Sequence, residues 1–420
     1  AGFFPVFFKT YWSAGTDVNT STAQLGLGNS LASLAVAVMA PFLGAVADRG
    51  TARKKFLLSF AYLGVLATAA LCVVGQGHWE MAILVYAVGI LGFSGANVFY
   101  DSLLPEVAGE DEIDFVSGLG FAMGYLGGGV LFTLNVFMVL KPELFGLGPS
   151  TAVRLSFLTV AVWWGIFTLF TLFWVKETPH APDTAGTTNM FSAGFRQFTE
   201  TFRKRRHLKT VFLFLFAYWL YIDGVDTIIR MAVDYGLSLG FASNDLILAL
   251  LITQFVGFPS ALLFGRLGER WDVRKAIFLA IGVYMFITVW GILMTEKSEF
   301  YVLAILIGTV QGGIQALSRS YYSRLIPKAQ AGEFYGFYNM LGKFAAILGP
   351  ALVGLVGIAA KGRLMPVAPS PEQMAAVEQA ASRWSIGSLL ILFIVGGTLL
   401  YFVDEEKGRR EIERYEEQEV

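Results

Sequence analysis

Apolar residues along this chain come in long runs, with polar residues gathered in the short intervals between them. A run of about 20 apolar residues crosses a bilayer as a helix, and the pattern yields twelve apolar segments. The first, around 3–12, is too short to span, and is expected to be the later half of a helix whose beginning is missing. The others run near 23–47, 56–75, 81–100, 115–140, 153–175, 210–235, 245–266, 276–294, 300–322, 334–358 and 384–403. Such a chain is an all-α membrane protein with twelve spans, the first of them truncated. Ser370-Pro371-Glu372-Gln373, ahead of the last span, has the form of a capped helix start.

Cations are unevenly spread among the intervals. One alternate set of loops, with the tail, holds 21 Lys and Arg, and the opposite set holds six. The bias places the first set, and both termini, in the cytoplasm, and the expected location is a bacterial cytoplasmic membrane. The interval 176–209 is longer than the rest and divides the chain into a six-helix half over 1–175 and another over 210–403, followed by a charged tail over 404–420. Phe191, Phe195, Phe198 and Phe202 recur at helical spacing beside Arg203–Arg206, a pattern for an amphipathic helix on the anionic inner leaflet. Alternating charges in the tail predict a solvated helix extension.

The two halves repeat. Gly44, Asp48, Arg49, Arg53 and Lys54 recur 221 residues later as Gly265, Glu269, Arg270, Arg274 and Lys275. Tyr100, Leu103 and Pro105 recur 222 later as Tyr322, Leu325 and Pro327, and Gly118 and Gly124 recur 218 later as Gly336 and Gly342. Parallel six-helix repeats related by a pseudo-two-fold axis are a transporter layout.

Composition narrows the chemistry. Only 15% of residues are charged, against roughly 25% in soluble domains. The single Cys72 excludes disulfides, and three scattered histidines leave no metal cluster. A net charge of −1 gives no reason to expect nucleic acid as a partner. Gly336–Lys343 is one residue too long for a phosphate-binding loop, and Phe344 stands where Ser or Thr is required. No enzyme activity and no cofactor are expected.

Charged and polar residues inside spans are expensive, so they mark function or pairing. The seventh segment carries Asp223, Asp226 and Arg230 on one helical face. The tenth carries Gln311, Gln315 and Arg319 as one stripe, and the eleventh carries Asn339 and Lys343. Asp223, Gln311 and Lys343 fall near the midplane, whereas Arg230 and Arg319 lie close enough to span ends to snorkel. The third, sixth, ninth and twelfth spans are clean of such residues and are expected to face lipid. Three roles stay open for the charged set: pairing that holds helices together, alternating gate contacts, or a substrate and proton site.

GAVADRGTARKK, between the second and third spans, resembles the loop motif of the major facilitator superfamily. FFPVFFKTYW, FYDSLLPEVA, GYLGGG, QGGIQALSRSYYSRLIPK and FYGFYNMLGKFAAILGP are similar to the vacuole-effluxer-like branch, relatives of the autophagy-related amino-acid effluxer. The resemblance implies a twelve-span major facilitator fold and a cytoplasmic gate braced by the loop aspartate. That gate would comprise Gly44, Asp48, Arg49 and Arg53, with Gly265, Glu269, Arg270 and Arg274 in the repeat, where glutamate replaces the aspartate. The expected activity is secondary active transport of a small polar solute by alternating access, the solute being an amino acid or related zwitterion carried with protons by a monomer. A lipid flippase working at the seam between the halves, or a non-transporting receptor or scaffold, are the alternatives.

Overall fold

The computed structural model describes residues 4–16, 18–48, 53–177, 208–238, 241–366 and 370–417. Among them every regular element is helical, as a lipid-facing backbone requires, since each N–H and C=O must be satisfied within its own segment. Ten helices are long and apolar enough to cross a membrane. The predicted interval 176–209 falls mostly outside the described residues, and with it the phenylalanine pattern and the Arg203–Arg206 cluster.

The chain separates into two compact units. The first comprises residues 1–107, 130–203 and 328–343, and the second 108–129, 204–327 and 344–420. Each is therefore mainly one sequence half, together with the opening turns of one helix from the other.

In the first unit, α1 (Phe4–Phe7) continues as a π-helical turn over Phe8–Trp12. Its rings pack into an aromatic nest with Tyr86 and Phe157, and the Trp12 indole N–H donates to the Val74 carbonyl at 3.2 Å. Then come α2 (Val18–Ala47), α3 (Arg53–Ala70), α4 (Trp79–Ser102) and the short α5 (Leu104–Val107). The far part of α6 (Ile113–Leu140) and α7 (Pro149–Trp174) follow. α3 lies along α4 because Gly64 and Gly92 bring their backbones together: a Cβ on Gly92 would sit 2.4 Å from the Gly64 nitrogen. Glu177, just beyond α7, accepts from the Arg53 N–H at 2.8 Å and so caps the start of α3, while the Lys54 ammonium donates to the Val175 carbonyl at 2.6 Å. The open face of α7 presents Phe167, Phe170, Phe173 and Trp174.

The second unit contains α8 (Lys209–Ser238), α9 (Ser243–Arg270), α10 (Val273–Leu293), α11 (Lys297–Ser323), most of α12 (Ala331–Leu364), α13 (Pro371–Gly387), α14 (Leu390–Tyr401) and α15 (Glu405–Glu417). Caps define several starts: Asp272 accepts from the Lys275 N–H, Glu296 and Glu299 cap reciprocally, and so do Ser370 and Gln373. The cap expected at Ser370 thus opens α13, which enters the membrane directly and meets α14 at a break over 388–389. α8 and α11 are the most buried of the described spans, whereas α10 and α14 expose Phe286, Leu293, Ile391 and Ile394. Gly308 and Gly312 let α11 approach α9 and Tyr125, in line with their four-residue spacing.

One expectation needs correction. The tail helix α15 is docked rather than solvated: Tyr415 is buried, Gly408 rests on Leu325 and Thr210, and Glu411 accepts from the Thr210 N–H at 2.8 Å. Its charge alternation hides a narrow apolar stripe that covers the start of α8.

Candidate functional site

Asp48 directly follows α2, and its carboxylate meets the first turn of α12. Oδ1 accepts from the Gly332 N–H at 2.8 Å and Oδ2 from the Glu333 N–H at 2.7 Å. A helix start carries free N–H donors and a partial positive charge, so a carboxylate there is well placed. Arg53, 1% exposed, donates to Asp48 at 2.6 Å and with its other terminal nitrogen to Glu106. Burial pushes the Asp48 carboxyl above the usual carboxylate range; the Arg53 charge and the two N–H donors pull it back without cancelling the effect. The approach needs glycine at both faces: a Cβ on Gly44 would lie 2.0 Å from the Gly332 carbonyl oxygen, and one on Gly336 2.6 Å from that of Ala40. Arg49 lies outside the described residues.

The second unit repeats the backbone contact with other side chains. A Cβ on Gly118 would lie 2.8 Å from the Ala261 carbonyl oxygen, and one on Gly265 3.1 Å from that of Asp114. Glu269 and Arg270, however, are exposed, and Arg274 donates to the Val403 carbonyl at 2.6 Å. The polar anchor there is the pair of Asp114 and Arg324.

Deeper in the second unit, α8 brings Asp223 against α12. Its Oδ1 accepts from the Gly349 N–H at 2.9 Å and from the Thr227 hydroxyl at 3.2 Å, while Oδ2 is buried with no hydrogen-bond partner among the described residues. Pro350 follows Gly349 inside α12, and a proline there disrupts the preceding turn. The Gly349 N–H, next to that proline, reaches across to Asp223. Only glycine fits, since a Cβ would lie 1.9 Å from the Thr227 hydroxyl. Asp226 is half-buried one turn on, and Arg230 is exposed.

Arg319 does not snorkel. It is 4% exposed, donates to the Ser117 hydroxyl at 3.0 Å and to the Ser117 carbonyl at 3.1 Å, and lies 4.8 Å from the Phe121 ring centre. Gln311 and Gln315, on the same stripe, are half-buried, and the Gln311 side-chain oxygen is buried with no partner among the described residues. The eleventh-span pair belongs to the first unit. Asn339 donates to Asp101 at 2.9 Å, and the Lys343 ammonium lies 5.9 Å from the Phe93 ring centre. Among the described residues no group of His, Cys, Asp and Glu is arranged to hold a metal.

Sequence reasoning passed over Asp101, Glu106, Asp114, Ser117 and Arg324. The repeat offset of 218 carries Asp114 onto Gly332, so the arithmetic that paired Gly118 with Gly336 already pointed to it.

The family described as vacuole effluxer Atg22-like matches residues 11–359. The chain is 37% identical to the major-facilitator-type transporter YxiO of Bacillus subtilis, over 96% of this chain and 90% of that protein. It is 25% identical to autophagy-related protein 22 of Yarrowia lipolytica, over 92% of this chain and 76% of that one. Among solved structures, that of the proton:xylose symporter XylE superposes with a TM-score of 0.72 at 13% identity, covering 99% of this chain and 94% of the symporter, a likeness of fold.

Proposed function

The chain belongs to the vacuole effluxer Atg22-like family of major facilitator transporters, and from that premise we propose that it carries an amino acid or a related small zwitterion by proton-coupled alternating access. Its relatives are transporters rather than enzymes. The observation that carries the finer reading is Asp223: one carboxylate oxygen is held by Gly349 and Thr227, and the other is buried and bare. A carboxyl fixed in that way takes up and releases a proton without losing its place, because the anchoring oxygen accepts in either state. Buried Arg319 and buried Asp223 supply charge of both signs within the same unit, which suits a solute bearing an ammonium and a carboxylate. Asp48, Arg53, Gly44 and the start of α12 act as the gate, on a membrane face that the cation count assigns to the cytoplasm.

Reconstituted transport tests the proton role. Asp223→Asn should still exchange labelled for unlabelled amino acid across liposomes yet lose accumulation driven by a pH gradient, while Asp226→Asn keeps both. Gradient-driven uptake at the wild-type rate in Asp223→Asn would remove this residue from coupling. A cysteine at Lys407 should be labelled only from the cytoplasmic side and one at Arg363 only from outside; labelling of both from one side would overturn the orientation.

A further inference from the structure

The second unit contains a groove of about 570 Å³ between α8, α12 and α13, at the end of α8 remote from Lys209. Gly354, Gly357 and Ile358 of α12 form one side, Ser382 and Ser385 of α13 the other, and Tyr235 of α8 the base. The two walls close on each other at Gly357, where a Cβ would lie 2.7 Å from the Ser385 hydroxyl, and open on either side of that point. Pro350 precedes the part of α12 that forms the wall. Ile358, on the α12 wall, is 74% exposed. Side chains so exposed on a membrane-spanning helix are accessible to an acyl chain.

Charge sits at one end of the groove only. The Lys361 ammonium and the Glu378 carboxylate pair across its mouth at 2.8 Å, both about half exposed. An exposed pair of this kind contributes little to stability, so exchanging it for a ligand carrying the same two charges costs little. Its place, at the ends of α12 and α13 where the apolar run gives way to Lys361, Arg363 and Glu372, is where lipid headgroups lie.

We propose that this groove binds a zwitterionic phospholipid, its phosphate on Lys361, its ammonium on Glu378, and an acyl chain along Gly354 and Ile358. The site belongs to one unit and is independent of the transported solute. Gly354 provides a clean plug, because nothing lies within 4 Å of a Cβ there and a larger side chain enters the groove without a clash.

The experiment uses delipidated full chain, with retained lipid read by native mass spectrometry and thermal unfolding read in parallel. The probes are phosphatidylethanolamine, phosphatidylglycerol of the same chains, and soluble phosphoethanolamine. Wild type should retain phosphatidylethanolamine over phosphatidylglycerol and be stabilised by it. Glu378→Gln should lose that preference, Lys361→Gln should weaken both lipids about fivefold, and Gly354→Leu should release both while unfolding at the lipid-free wild-type temperature. Equal retention of the two lipids by wild type, or undiminished retention by Gly354→Leu, would overturn the proposal. Stabilisation by soluble phosphoethanolamine equal to that by the lipid would also overturn it, making the groove a solute site.

Discussion

The clasp at Asp48 and its repeat image at Glu269 share a backbone and differ in chemistry. In both units a glycine near the end of one helix lies against the first turn of another, Gly44 at Gly332 and Gly265 at Asp114. In the first unit the loop aspartate fills the space beyond, caps two N–H groups and takes a buried arginine; in the second the loop glutamate is exposed, and Asp114 pairs with Arg324 instead. Duplication thus preserved the close approach, which only backbone geometry sets, while the side chains that secure it diverged. A repeat in sequence is evidence of shared shape, and much weaker evidence of a shared polar lock.

Removing the arginine from each loop gives the largest separation. Arg53→Ala removes the buried counter-charge of Asp48 and one partner of Glu106, and should cost about 3–5 kcal/mol in detergent unfolding. Arg274→Ala removes one half-buried donor to a carbonyl, about 1.5 kcal/mol. Equal losses would mean that the two loops are secured alike.

The glycines sharpen the comparison next. Gly44→Ala forces a methyl to 2.0 Å from a carbonyl oxygen and should cost about 1–3 kcal/mol, whereas Gly265→Ala meets its neighbour at 3.1 Å and needs only a small shift, well under about 1 kcal/mol. Thermal midpoints of the two variants measure the difference.

At the carboxylates, Asp48→Asn should loosen the contact with α12, read as faster hydrogen exchange at the Gly332 and Glu333 amides that Asp48 caps. Glu269→Gln, at an exposed position, should change stability by less than about 0.5 kcal/mol.

The smallest effect is on pH. Because burial raises the folded-state value of Asp48, the clasp favours the protonated form; that share of stability is present at low pH and is lost as pH rises through the raised value. Exchange of the Gly332 and Glu333 amides, corrected for its intrinsic pH dependence, should therefore speed up with pH above the usual carboxylate range, and Asp48→Asn should abolish that dependence.

The spans, their order and the repeat were legible because period and apolar length are properties of the chain alone. So was the expense of Asp223. Its partner was not: the Gly349 N–H lies beside a proline in another helix, and no spacing rule connects residues 223 and 349. Arg319 looked free to snorkel because Ser117 and Phe121, which hold it, are 202 and 198 positions away. The tail misled for another reason. Strong charge alternation describes its exposed face, and the docked face rests on the small Gly408 and on Tyr415.

The cap on α3 has a mechanical meaning. Glu177 grips the backbone N–H of Arg53, the residue that holds Asp48 and Glu106, and Lys54 grips Val175 two positions earlier. Tension applied to the chain beyond residue 177 is therefore delivered to the clasp itself, one side chain away, rather than dissipated in a loop. Whatever pulls on the connection between the halves has a lever on the lock.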